Sequence, residues 1–358
     1  AVPGKPLYSE YCMKSNWKAF LADAGAEFTA DDTLHYGNPA REREVALSGT
    51  VFSDLSYLGV IAAHGKDSES FLQAQLSNDL SAVADNSHQL SAYCNPKGRI
   101  IGLFRIFRSA GNYYLRLPSD TLESVLQRLR MFVLRADVTL EDASNNFICI
   151  GVSGETAAAE LAEAAGGVPE QEHQAMHTGD LTVLRVPGIH PRFEVYAGSL
   201  ETATKLWDAL NVRAAPVGTA AWRLLEILAG MPAIYARTAD LFVPQMANLQ
   251  LVDGVSFKKG CYPGQEIVAR MQYLGTLKRR MYLGRIVADT LPLPGNTLFK
   301  SSDNEQAIGR IVDAQPHPDG GIAALAVLQI SAAEANDVHL AASDGPAFVQ
   351  QPLPYAFE

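Results

Sequence analysis

No apolar run in this sequence approaches the roughly 20 residues needed to cross a bilayer; among the longest is residues 322–328, IAALAVL. Cysteine is scarce. Cys12, Cys94, Cys149 and Cys261 stand far apart, with no CxxC pair and no Cys/His cluster at zinc-finger spacing. A reduced, cytoplasmic compartment is the simplest expectation, and a disulfide between distant members stays open. Basic residues are outnumbered, 29 Lys and Arg against 39 Asp and Glu, for a net charge of −10. That balance argues against a general nucleic-acid coat and leaves room for a local basic patch. The first residues, AVPGKPLYSEYCMKSNW, lack the charged-then-apolar pattern of a secretory signal. Met13 is a candidate start, which would make residues 1–12 an upstream segment. Tandem repeats, long linkers and a GxxxxGK[ST] phosphate loop are also missing.

What is present is globular: 47% of residues are apolar and 19% charged. At 358 residues the chain exceeds one ordinary core, so two or three domains are expected. A short helix over 15–25 stops at Gly25 and is followed by a loop. A strand over 59–63 leads through a turn into a helix capped by Asp67 or Ser68. Residues 88–118 read as two or three strands, with turns at Asn95-Pro96-Lys97-Gly98 and Ala110-Gly111-Asn112. The clearest helix is 119–133, where Asp120 and Glu123 have capping-box spacing and Leu122, Val125, Leu126 and Leu129 repeat at helical period. Residues 146–212 carry a β-α-β-β-α-like succession of ferredoxin-like pattern. A helix over 218–229 ends at Gly230. From 280 onward only short strands recur, which predicts a small β-barrel or sandwich.

The chemistry concentrates in residues 242–280, around KKGCYPGQE at 258–266. Cys261 lies between Gly260 and Gly264, behind Lys258 and Lys259, in surroundings unlike the apolar run of a buried structural cysteine. Tyr262-Pro263-Gly264 suits a turn with Pro and then Gly at its centre, and Gly260 would let the backbone bend. If a helix starts at Gln265, its positive end and Lys259 would both favour a thiolate. A thiolate is a nucleophile, a metal ligand or a redox handle. Gln265 and Glu266 could pair with the donor and acceptor edge of a flat heterocycle. The plainer alternative is a tight Gly-rich turn whose cysteine fills space.

This segment resembles the K-G-C-Y-x-G-Q-E signature of the YgfZ-type folate-binding proteins, present as Lys259 to Glu266 without a gap. FVPQMANLQLVDGVSFKKG before it, GKDSESFLQAQLSND and YCNPKGRI upstream, and a terminal PLPY extend the likeness from about residue 48 onward. Those proteins are relatives of the glycine-cleavage T-protein, a folate-dependent aminomethyltransferase. The resemblance implies an α+β fold of three domains set like a cloverleaf around a central hole for tetrahydrofolate, with ferredoxin-like α/β units and a small C-terminal β-barrel. The expected division is an N-terminal helix and loop (1–47), a folate-binding core (48–145 plus 213–278), a ferredoxin-like α+β domain (146–212) and the β-barrel (279–358).

The resemblance also assigns roles. Cys261 is the functional thiol, with Lys259 beside it. Trp222, eight residues before Gly230 of a G-x-P turn, matches a folate-contacting tryptophan; its indole could stack on a pterin or pack in a core with Leu225 and Leu228. A second family tryptophan falls near Tyr57 and Leu58, where Tyr57 would substitute. Glu194 lies where relatives have an acidic pterin contact, or is an exposed strand carboxylate. Tyr262, Gln265 and Glu266 complete the expected cofactor-binding set. Arg223 and Glu226 read as a salt-bridged helix face. One departure stands out: Gly102 and Leu103 occupy the place of the acidic pair that aminomethyltransferases carry. A carboxylate that moves a proton cannot be replaced by either, so the T-protein reaction is not expected.

The expected function is that of a tetrahydrofolate-binding accessory protein, a cytoplasmic monomer supporting iron–sulfur enzyme assembly or repair and thereby tRNA modification. Its partners would be iron–sulfur or tRNA-modifying enzymes, met transiently. Direct tRNA binding would be weak and steeply salt-dependent, and no metal site is expected. A one-carbon transferase on another substrate and a non-catalytic scaffold with a vestigial pocket are the alternatives.

Overall fold

A computed structural model describes residues 13–29, 34–302 and 306–357; Cys12 lies outside them. The chain has two compact units. The first comprises Ala1–Phe71, Ser81–Gln89 and Arg105–Trp222; the second comprises Leu72–Leu80, Leu90–Phe104 and Arg223–Glu358. The class is mixed α+β, as expected. No helix among the described residues is long and apolar enough to cross a membrane.

The first unit contains a six-stranded sheet in the order Ala175–Thr178, Leu181–Val186, Arg192–Ala197, Ile148–Ser153, Val51–Asp54, Ala215–Pro216. Only the last pair is parallel. The β-α-β-β-α succession read from the sequence is present, with Ala175–Thr178 as an added strand. One sheet face meets the helices Ser15–Asp23, Ala157–Ala165 and Leu200–Leu210 in a shared core that includes Phe193, Val195, Leu161 and Leu206. Trp207 anchors it, 4.6 Å from Phe52 and 5.5 Å from Trp17 in edge-to-face contacts. Trp17 donates its Nε1–H to Asp54 at 2.7 Å, so a carboxyl that burial pushes up in pKa keeps a partner.

Two sequence readings change here. The stretch read as loop after the first helix contains the helix Pro39–Ser48, capped by Asn38, whose side chain accepts from Arg41 N at 3.0 Å. The Asp120–Glu123 capping box does not form. The helix Ser119–Arg130 has Pro118 at its N-cap, which makes no side-chain cap hydrogen bond, and Asp120 lies inside the first turn.

The other sheet face carries charge. Along Arg192–Ala197 alternate residues point to one side, so Arg192, Glu194 and Tyr196 oppose Phe193, Val195 and Ala197. All six are buried. Glu194 is met by two arginines from a second sheet: Arg105 and Arg116 are direct partners on antiparallel strands. Like charges placed opposite one another repel, and Glu194 relieves that repulsion. Arg116 binds both its oxygens, Arg105 Nε lies 3.5 Å away, and Tyr196 donates its hydroxyl at 2.7 Å. Burial raises the Glu194 pKa, but the Arg116 and Arg105 charges outweigh it and hold the group at about 2. The expected exposed strand carboxylate is therefore a fully enclosed ion pair.

In the second unit, six antiparallel strands run in the order His339–Leu340, Thr297–Phe299, Gly309–Pro316, Ile322–Gln329, Arg279–Ile286, Phe348–Gln351. The sheet curls until a single bridge, His339–Ala347, joins its edges, around Ile311, Ala324, Ala326, Leu328 and Phe348. A register slip between Ile311 and Asp313 re-aims Asp313. There it pairs with Arg223 and accepts from the Tyr235 hydroxyl at 2.8 Å. Arg223 thus pairs with a strand of the curled sheet.

The Glu194 cluster predicts an acid response. A carboxylate depressed from 4.5 to about 2 adds stability that is complete above pH 4.5 and is lost as pH falls toward 2. Glu194→Gln leaves two buried guanidinium groups facing each other. It should cost about 3–5 kcal/mol in urea unfolding at neutral pH and flatten the stability–pH slope below pH 4.5. An unchanged slope would show that the cluster does not govern acid unfolding.

Candidate functional site

The cysteine loop belongs to the second unit and is held at both ends. Ahead of Cys261, Lys259 turns inward, only 8% exposed. Its Nζ donates to the carbonyls of Gln73 at 2.5 Å, Leu76 at 2.6 Å and Asn78 at 3.1 Å. These lie at and just beyond the end of the helix Ser68–Gln75, where carbonyls lack intrahelical partners and a cation is favoured. Burial lowers the Lys259 pKa to about 8, against the opposing Asp79 charge. The ammonium also lies 5.4 Å from the Tyr262 ring centroid. Lys259 therefore anchors the loop, and its cation is engaged by carbonyls and a ring.

Behind Cys261 the expected turn is present. Gly264 has φ 78° and ψ 2°, and Gln265 N donates to Tyr262 O at 3.1 Å, as in a type II turn. A Cβ built on Gly264 would lie 2.6 Å from Gly98 Cα, and one on Gly98 would lie 3.0 Å from Ile267 Cβ. The Asn95–Gly98 turn and the cysteine loop thus interlock glycine to glycine, and Gly98 also has a positive φ of 69°. Gly260 differs: its φ is not positive and its surroundings are open, so no steric need explains it.

The helix Gln265–Tyr273 begins four residues after Cys261. Gln265 folds its amide back onto the carbonyls of Lys259 and Gly260, at 3.3 Å each. Glu266 is exposed in the first turn, where a negative charge suits the helix end. Tyr262 is buried, and its hydroxyl has no hydrogen-bond partner among the described residues; burial first, then the Cys94 charge, raises its pKa. Cys261 itself is exposed and free, whereas Cys94 and Cys149 are free and buried. Burial pushes the Cys94 thiol up to about 12 and raises that of Cys149 well above its ordinary value.

The first unit holds the other expected residues. Trp222 is fully buried and packs on Gly151, where a Cβ would lie 2.5 Å from the indole Cη2. Gly151 is the register partner of Glu194, so Trp222 and Glu194 share one sheet face. The Arg192 guanidinium stands 5.6 Å from the Trp222 ring centroid. The indole Nε1 has no partner among the described residues. Tyr57 is half-buried and Leu58 buried at the start of the strand Leu58–His64. Sequence reading missed Arg105, Arg116, Arg192 and Tyr196 as companions of Glu194. The alternating R-F-E-V-Y-A pattern was the available signal for two of them. No group of three or more His, Cys, Asp or Glu residues placed to hold a metal exists among the described residues.

Residues 28–259 match the GCVT N-terminal domain family. The chain is 32% identical over 295 residues to the tRNA-modifying protein YgfZ of Shigella boydii serotype 4 (strain Sb227), covering 82% of this chain and 90% of that one. The same figures hold for the tRNA-modifying protein YgfZ of Escherichia coli O157:H7 (strain EC4115 / EHEC). Among solved structures, the glycine cleavage system aminomethyltransferase T from Bartonella henselae superposes with a TM-score of 0.77 over 95% of this chain and 96% of that one, at 19% identity. The two share a fold. By domain match and by likeness over most of its length, this chain belongs to the YgfZ family of GCVT-domain proteins.

Proposed function

We propose that this protein binds tetrahydrofolate and supports the assembly or repair of iron–sulfur enzymes, and thereby tRNA modification, with Cys261 as its functional thiol. The observation that carries the reading is the loop Lys259–Glu266, which presents an exposed sulfur from a frame locked by Lys259 and Gly264. The names of its relatives as tRNA-modifying proteins support the same direction. An exposed thiol can reach a partner protein, and Cys94 and Cys149 cannot. Iron–sulfur enzymes would be met transiently, by a monomer.

The residues offered to the folate do not fit it equally. Trp222 buries an indole N–H without a hydrogen-bond partner among the described residues, and a buried donor without a partner is costly; a ligand acceptor would satisfy it. Stacking on Trp222 is not available in the present packing, because Gly151 closes on the ring. Glu194 is engaged by Arg116 and Tyr196 and would act by holding these groups in place. Bound tetrahydrofolate would supply a carrier for one-carbon units. Aminomethyl transfer is disfavoured because Gly102 and Leu103 place no carboxylate on the strand Ile100–Ser109 at the positions where the acids would stand.

Calorimetric titration of tetrahydrofolate and its 5-formyl analogue into the reduced protein tests the reading. Wild type should bind in the micromolar range, and Cys261→Ser should bind equally but fail to restore iron–sulfur-dependent tRNA modification in cells. Trp222→Phe should weaken binding by about 2–10-fold, the worth of one hydrogen bond. Trp222→Ala is a poor probe, because emptying a core site of that size costs about 3–5 kcal/mol. Absence of binding by wild type would sink the folate assignment.

Gly264→Ala tests the frame. The added methyl meets the Asn95–Gly98 turn at a positive φ, so a loss of about 1–3 kcal/mol is expected in thermal or urea unfolding. Cellular function should fall with it even where the protein stays folded. Full function in Gly264→Ala would show that the loop geometry is dispensable.

A further inference from the structure

A cavity of about 730 Å³ lies within the second unit, lined in part by Arg99, Lys278 and Arg279. Its volume is that of a small-molecule site. Arg99 reaches it from the end of the Asn95–Gly98 turn, with Nη1 donating to Leu241 O at 2.6 Å. Arg279 opens the strand Arg279–Ile286, with Nη2 donating to Ala307 O at 3.2 Å. None of the three cations forms an ion pair among the described residues. Glu334 is the one carboxylate in the described lining, and it is exposed. Burial lowers the Arg279 pKa, and the charges of Arg310 and Arg99 lower it further. Like charges gathered in this way repel, and an anion would relieve them.

Part of the lining is apolar. Leu241, Met246, Met271 and Ile330 contribute it, and methionine adapts to flat or irregular ligands. Two guanidinium forks beside one ammonium suit an oxyanion of two or more charges, since the forks bind phosphate or carboxylate through paired N–H groups. The geometry points to a binding site for a small organic dianion: a phosphate monoester or a dicarboxylate gripped by Arg99, Lys278 and Arg279, with its flat or apolar body against the two methionines. The site is separate from the cysteine loop and does not depend on the function proposed for it. Lys278 is the exposed cation of the three and would meet the ligand first.

Calorimetry on the full chain tests this with adenosine 5′-monophosphate and isophthalate as anions, and adenosine and isophthalamide as their neutral counterparts. At least one anion should bind tenfold or more tightly than its neutral counterpart. That affinity should fall at least tenfold in Lys278→Glu and decline as salt is raised. Binding by the monophosphate alone would assign a phosphate ligand, and binding by isophthalate alone a carboxylate ligand. Circular dichroism would confirm that Lys278→Glu is folded, and Arg279→Gln should show the same loss as a second variant. Failure of both anions to bind, equal binding of charged and neutral probes, or indifference to Lys278→Glu would each overturn the proposal.

Discussion

The second unit turns on one buried ammonium. Lys259 leaves water to sit on the carbonyls of Gln73, Leu76 and Asn78, and the fall of its pKa to about 8 is the mark of that desolvation. A lysine in that place does two things. It satisfies carbonyls left open by the end of a helix, and it ties residues far apart in sequence to one point. The loop that follows can then be short and irregular without being loose, because its entry is fixed by three hydrogen bonds and its exit by the type II turn at Gly264. An exposed thiol held between such anchors has a defined position. On a free loop it would not.

The first unit solves a comparable problem with charge. Its central strand Arg192–Ala197 has an apolar face for the helical core and a polar face buried as completely. Burying three polar groups in a row is costly unless each is partnered. For Glu194 and Tyr196 the solution is a charged cluster in which the carboxylate accepts from Arg116 and from the Tyr196 hydroxyl and faces the Arg105 charge at 3.5 Å. Trp222 lies on the same sheet face because Gly151, across from Glu194, leaves room for the indole. Its role in packing is therefore visible in the structure, and any contact with a ligand would be made from within that packing.

Much of this was legible. The helix Ser119–Arg130 follows strong periodicity, the strands beyond residue 279 follow from short runs recurring between turns, and the turn at Pro263-Gly264 follows from turn chemistry. The helix Pro39–Ser48 was not legible, because PAREREVALS buries only Glu42 and Ala46 and so shows no apolar stripe. The capping box at Asp120 failed because Pro118 sets the chain's entry into the helix and leaves no residue there to accept. The inward turn of Lys259 was illegible for another reason. A lysine beside a cysteine reads as a charge for the thiol, and only the path of residues 73–78 shows that carbonyls claim it first. The ion pair of Glu194 has the same character, since its partners come from a different sheet.

Gly98 and Gly264 show how tightly the two turns are joined. A Cβ on Gly264 would run into Asn95 O and the Gly98 backbone, one on Gly98 would press on Ile267 and the Gly264 carbonyl, and each glycine has a positive φ. Ordinary compensation in a packed core enlarges one residue while shrinking its neighbour. That route is closed at Gly264, whose neighbours are backbone atoms, whereas a Cβ on Gly98 would press first on the Ile267 side chain; both backbones are in the left-handed region that disfavours a Cβ. The steric constraint is therefore strictest at Gly264. Through it the Asn95–Gly98 turn, which positions Arg99 at the cavity, and the Tyr262–Gly264 turn, which follows Cys261, form one mechanical piece. A change in either turn is carried to the other by direct backbone contact.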